Sequence, residues 1–355
     1  MRVILPAGTT ETGLIDGISA AGAAPELMEH TPSADAEIIA YGAPTMAPVT
    51  PVSPNGCPTP AAVTRAVREV VGFDVSVVDA GLAQPTGAPT VDLGVDPGAD
   101  IREAAAVPDA AAIFDRAHAF GASLPDDEIA IGETVPGGTT TALGLLTALG
   151  EPGTVSSSLP RNPLERKRAV VDDALAASDL AAGDCDGRPL AAIRAVGDPV
   201  QATVAGIAAG ALESGIDVTL GGGTQMVAVA AALRHYGVSE PLSIATTSFV
   251  ADEQGDQLGE ICYRLNCELT VTDPGFEERE HVSMERYCAG EAKEGVAMGG
   301  ALSLVPDGEM GAVLDRFEAV CDRLGIDAGG EDGDDGNEGS DGDDTSDSNG
   351  GGGRP

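Results

Sequence analysis

Short β-branched runs alternate with longer Ala-rich segments along most of the chain, and the runs keep ending in glycine, acidic or hydroxyl residues. That rhythm limits the fold more than any other feature of the sequence. "RVIL", a helical stretch, "EIIAYG", a Pro-rich crossing over 47–60 and another helix lead to "VSVVDAG". A long loop over 83–100, a helix over about 101–122, "EIAIGET", a helix, and "AAIRAVGD" with its following helix come next. "DVTLGGG", a helix, "SIATTSF", "ELTVTDPG" and a C-terminal helix from Met310 to Leu324 complete the series. Strand-then-helix repetition predicts a doubly wound α/β fold, a mostly parallel sheet with helices on both faces. Ligands in such sheets bind beyond the carboxyl ends of the strands. The turns at Gly132 and Glu133, Gly197 and Asp198, Gly221 to Gly223, and Thr246 to Ser248 are therefore expected to share one crevice.

Composition says what fills that fold. Hydrophobic residues make up 43% of the 355, but aromatics only 3% with no Trp, so Ala, Val, Gly and Leu must build a tightly packed interior. Against 57 Asp and Glu stand 19 Lys and Arg, of which two, Lys167 and Lys293, are lysines; the net charge is -38. Phosphate backbones need a basic surface, so a nucleic-acid partner is excluded. The segment 327–355 carries ten acidic residues and one Arg, which leaves -29 on 1–326, so the excess is spread over the whole surface. Screening by concentrated salt relieves such self-repulsion, and the charge reads as adaptation to a halophilic cytoplasm. The 327–355 segment lacks large apolar residues and is expected to be a disordered acidic tail beside a 1–326 α/β domain. Cys57, Cys185, Cys262, Cys267, Cys288 and Cys321 form no CxxC pair and read as reduced thiols. "MRVILPAG" is too short and too quickly polar for a signal peptide, and no apolar run is long enough to span a bilayer.

The stretch "IGETVPGGTTTALGLL" over 131–146 nearly spells an ATP-binding loop. Gly132, Gly137 and Thr139 fit the G-x-x-x-x-G-K-[ST] pattern, but Gly138 stands where the lysine belongs. Backbone N–H groups and a helix start still suit one phosphate, with Thr139 and Thr140 as hydroxyl donors and Glu133 serving a neighbouring ribose. A plain strand-to-helix turn has the same composition. "LGGGTQMVAVAAAL" repeats the logic with Gly221, Gly222, Gly223 and Thr224. Asp198 and Pro199 read first as a helix cap. Glu294, before Gly295 in "KEGVAMGGAL", would take a proton near neutral pH if held in an apolar pocket. His30, His118, His235 and His281 show no ligand spacing, so no metal site is expected.

Together these stretches, with "LPAGTTETGLIDGISAAGA", "HTPSADAEIIAYG", "VVDAGL", "SSSLPRNPLERK" and "AVGDPVQATVAGIAAGA", resemble the nicotinate-nucleotide:dimethylbenzimidazole phosphoribosyltransferase family, and more closely its archaeal branch. The resemblance runs from about residue 5 to residue 324. It implies a doubly wound domain with a smaller accessory part built from the chain ends, a homodimer, and transfer of ribose 5-phosphate from nicotinate mononucleotide to a benzimidazole-type base, giving α-ribazole 5'-phosphate for cobalamin. It also implies Glu294 as general base beside Gly295, with Glu133, Gly137, Gly138, Thr139 and Thr140 around ribose and phosphate, and no metal or redox cofactor. "KEG" in place of the bacterial "GEG", the missing Asn of the phosphate loop and an unmatched base pocket leave the acceptor open. The alternative is a nucleotide-binding sensor of the same fold that has lost catalysis.

Overall fold

The first strand shows how the fold is organised. In "RVILPA" the side chains of Val3 and Leu5 enter the clusters on one face of the sheet and Ile4 enters the cluster on the other, the two-residue alternation of a strand covered on both sides. The computed structural model describes residues 1–19 and 25–326; the 327–355 tail lies outside the described residues. Seven strands form one sheet: β1 (Arg2–Ala7), β2 (Asp74–Asp79), β3 (Thr90–Asp92), β4 (Glu128–Ile131), β5 (Asp217–Gly221), β6 (Leu242–Thr247) and β7 (Cys267–Thr272). Their order is β3-β2-β1-β4-β5-β6-β7, and every neighbouring pair is parallel. The fold is thus the doubly wound α/β class expected, with its winding direction reversing between β1 and β4. Among the described residues no helix is long and apolar enough to cross a membrane.

Three local readings change. "EIIAYG" belongs to the helix Thr31–Tyr41, ended by Gly42 at φ +89 with its N–H on the Ile38 carbonyl. Every residue from Thr31 to Ile39 is buried, so no apolar stripe marks the helix, and burial outweighs the β-preference of the paired isoleucines. "AAIRAVGD" lies in the short helix Pro189–Val196, where a small-residue apolar run looks alike in either state. The loop over 83–100 hides β3, three residues paired with the end of β2.

Two main cores, with two small clusters beside them, cover the sheet. The larger includes the helices Ala110–Ala122, Gly138–Leu149, Pro199–Glu213 and Thr224–Tyr236. The smaller joins Ala61–Val71 to Met310–Arg323 and gathers the ring cluster of Phe249, Phe276, Tyr287 and Phe317. With so few rings, the larger core is closed by backbone proximity instead. Where Ala110–Ala122 crosses Pro199–Glu213, a Cβ on Gly210 would lie 2.1 Å from the His118 carbonyl oxygen, and one on Gly121 would lie 2.2 Å from that of Ile207. We predict that Gly210→Ala destabilises the protein by about 1–3 kcal/mol through forced separation of these helices. Gly259→Ala, on the Asp256–Arg264 helix with open space around it, should be neutral or stabilising by up to about 1 kcal/mol. Urea unfolding of both variants in concentrated KCl checks the contrast.

Candidate functional site

At the β1/β4 reversal a cleft of about 950 Å³, solvent mouth included, opens over the strand ends. Glu294 forms one end of it. Its turn reaches the sheet because Gly132, just after β4, has no side chain: a Cβ there would sit 2.3 Å from that of Ala297. The Val296 N–H closes the contact on the Glu133 carbonyl at 2.8 Å. Of the six non-glycine residues with positive φ among those described, four (Ala292, Lys293, Val296 and Ala297) lie in this turn. Left-handed backbone at each costs on the order of 1–3 kcal/mol and persists only where the surroundings fix it, a pattern typical of functional loops.

The turn places the Glu294 carboxyl at the start of the Met298–Leu302 helix. One oxygen accepts the N–H groups of Gly299 at 2.8 Å and Gly295 at 3.1 Å; the other accepts the Thr247 N–H at 3.2 Å and the Thr246 hydroxyl at 3.3 Å. Burial outweighs these donors and pushes its pKa up to about 7. Three more buried carboxyls surround it. Glu133, at the head of the predicted phosphate loop, is pushed up to about 8 by burial and by the charges of Asp198, Glu294 and Asp35, against one hydrogen bond from the Val135 N–H. Asp35 is raised to about 6 by burial while accepting the hydroxyls of Thr59 at 2.6 Å and Thr134 at 2.7 Å. Asp198 is also raised by burial and completes a capping box with Gln201, so its role as a cap holds. Near neutral pH Glu294 can therefore receive a proton, whereas Glu133 retains its own.

The predicted residues divide by position. Glu133, Gly137, Gly138, Thr139, Gly223, Thr224, Glu294 and Gly295 line the cleft. Gly221 and Gly222 lie beneath it, the first against Gly300 and the second donating its N–H to the Ala245 carbonyl. Thr140 is buried at the helix start with its hydroxyl unpaired. The Gly197 and Asp198 turn, expected at a strand end, joins two helices and reaches the cleft only through Gln225, whose amide donates to Asp198 at 2.9 Å.

Several lining residues went unread in the sequence. Asp35 sits inside an unmarked helix. The Pro51–Pro60 stretch, treated only as a crossing, walls the cleft and is tied to the Glu294 turn by Glu291, which accepts the Ser53 hydroxyl at 2.5 Å and the Asn55 amide at 3.1 Å. "SSS" at 156–158 faces the Gly223 turn, with the Ser156 N–H on the Thr224 hydroxyl at 3.2 Å. Its clustered hydroxyl residues before a Pro were the available signal.

Comparison with known proteins agrees with this architecture. Residues 57–257 match the family model DBI_PRT, described as phosphoribosyltransferase. A UPF0284 protein of Halobacterium salinarum is 58% identical over 90% of this chain and 97% of its own length, and one of Methanothermobacter thermautotrophicus is 40% identical over 90% and 92%. Among solved structures, the nicotinate-nucleotide-dimethylbenzimidazole phosphoribosyltransferase of Thermus thermophilus superposes with a TM-score of 0.57 at 16% identity, covering 92% of this chain and 86% of that one; at that identity the likeness speaks for the fold. On the family match and the identity to these relatives, the chain belongs to the phosphoribosyltransferase family, in its UPF0284 group.

Proposed function

We propose that the protein transfers the ribose 5-phosphate of nicotinate mononucleotide to a ring nitrogen of a benzimidazole-type base, giving α-ribazole 5'-phosphate for the lower ligand of cobalamin. The observation that carries this reading is the Glu294 carboxyl, buried, held by four donors and poised near neutrality across one cleft from a lysine-free phosphate loop. The fold shared with the Thermus enzyme supports it.

In this chemistry one azole nitrogen uses its lone pair to form the bond to C1' as the bond from C1' to nicotinate breaks. The departing pair neutralises the pyridinium, and the proton on the other azole nitrogen passes to Glu294. Gly137 to Thr139 serve the phosphate, which as a monoester needs no lysine for outer phosphates. Protonated Glu133 donates to a ribose oxygen. We extend the proposal to a homodimer in a salt-rich cytoplasm; the net charge of -38 and the Halobacterium relative support the salt part.

Three outcomes are expected. Glu294→Gln should lower transfer about 10²–10⁴-fold, the usual worth of a general base, while calorimetry shows nicotinate mononucleotide binding largely intact. Mass spectrometry of products from a panel of azole bases reads the first effect; loss of binding without loss of turnover would sink the assignment, and binding without turnover in the wild type would favour the sensor.

The logarithm of kcat should rise with pH to about 7, because only the ionised Glu294 accepts the proton, and fall again above about 8 as Glu133 loses the proton it donates. A profile flat across neutrality would reject Glu294 as base.

Glu133, raised to about 8 in the fold, contributes stability while protonated and loses it as pH climbs from its unfolded value through about 8. Glu133→Gln should therefore raise the melting temperature near pH 9 and do little near pH 4, while reducing turnover; thermal melts at the two ends check the sign.

A further inference from the structure

Lys167 and Lys293 are the chain's two lysines, and both ammonium groups end under one short loop. Lys167 Nζ donates to the Ser156 carbonyl at 2.8 Å. Lys293 Nζ donates to the carbonyls of Ser157 at 2.7 Å and Leu159 at 2.8 Å. The Ser158 carbonyl accepts the Ala292 N–H at 3.0 Å. All four consecutive carbonyls from Ser156 to Leu159 are thus engaged by protein donors, three of them by ammonium.

Glu253, in the Ser248–Gln254 helix, completes the arrangement: one oxygen lies 3.6 Å from Lys293 Nζ and the other accepts the Ser157 N–H at 3.3 Å. The Lys293 side chain is 6% exposed. Burial pulls its pKa down and Glu253 counters the pull. The backbone at Lys293 is left-handed, φ +48, and its carbonyl accepts the Thr247 hydroxyl at 2.7 Å. An ammonium buried at that desolvation cost, on strained backbone next to Glu294, is a poor choice for filling space, since an apolar side chain of like volume would do so more cheaply.

We infer that Lys293, with Glu253, is a positioning residue that fastens the Ser156–Leu159 loop to the turn carrying Glu294, so that the cleft's anion-facing wall and its carboxyl end move as one body. Carbonyl oxygens repel an anion; with those of the loop held by Lys167, Lys293 and Ala292, the wall offers an anionic group its serine side. Glu253 balances the charge of Lys293, so the clamp orders the wall rather than adding net positive charge to it. This rests on the transferase reading for the identity of the anion, but the clamp itself is a property of the apoprotein.

The test uses the full chain in concentrated KCl, with Lys293→Met, Lys293→Arg and Glu253→Gln. Hydrogen exchange over 153–162 and calorimetry with nicotinate mononucleotide are read on each. In Lys293→Met the loop amides should exchange about tenfold faster and nucleotide affinity should fall about tenfold, with kcat falling as well as KM rising. Lys293→Arg should restore both readouts to within about threefold, because a guanidinium can still reach both carbonyls. Wild-type exchange and affinity in Lys293→Met would overturn the inference. If that variant does not fold, unchanged loop exchange in Glu253→Gln overturns it and accelerated exchange supports it. If the wild type binds no nucleotide, the transferase reading fails, and loop exchange alone decides the clamp.

Discussion

Backbone touching backbone is the contact on which this cleft depends. Gly132 lets the Ala297 turn lie against the end of β4, and Gly221 lets Gly300 do the same over β5. Any side chain at these positions would lift the Met298–Leu302 helix off the strand ends and carry Glu294 away from the glycine loops. The same economy closes the larger core at Gly121 and Gly210. A chain poor in aromatic residues gains its packing density by bringing main chains together, and the Glu294 carboxyl inherits that precision.

Such closeness has an electrostatic cost. Asp35, Glu133, Asp198 and Glu294 are all buried, and each carries a raised pKa. Hydroxyls, the Gln225 amide and backbone N–H groups, rather than cations, satisfy them, while the two lysines are committed to the Ser156–Leu159 wall. The cleft is thereby divided into a carboxyl-rich side, where protons are gained and lost near neutrality, and a serine side backed by ammonium.

Much of this was legible in the sequence, and what was missed has a physical cause. The strands β1, β2, β4, β5, β6 and β7 announce themselves by β-branched runs that stop at glycine or hydroxyl residues, and the capping by Asp198 follows from Pro199 at the first helical position. The helix Thr31–Tyr41 is buried on all sides, so periodicity could not reveal it, and Asp35 went unseen with it. Gly221 and Gly222 look like ligand-facing glycines because composition cannot separate close approach to a phosphate from close approach to another helix. Lys293 is invisible for a different reason. Its partners Ser157, Leu159 and Glu253 are brought to it by the fold, and nothing in "KEG" foretells a buried ammonium.

The burial of both lysines also changes what the outside of the molecule offers to chemistry. Apart from the N-terminal amine, the surface side-chain cations among the described residues are arginines, which resist acylation, or histidines, while Lys167 is fully enclosed and Lys293 nearly so. Side-chain amine chemistry, whether metabolic acylation or a laboratory label, therefore has no ready target until the serine wall opens. The rate at which an amine-reactive reagent consumes Lys293 becomes a clock for the breathing of the cleft.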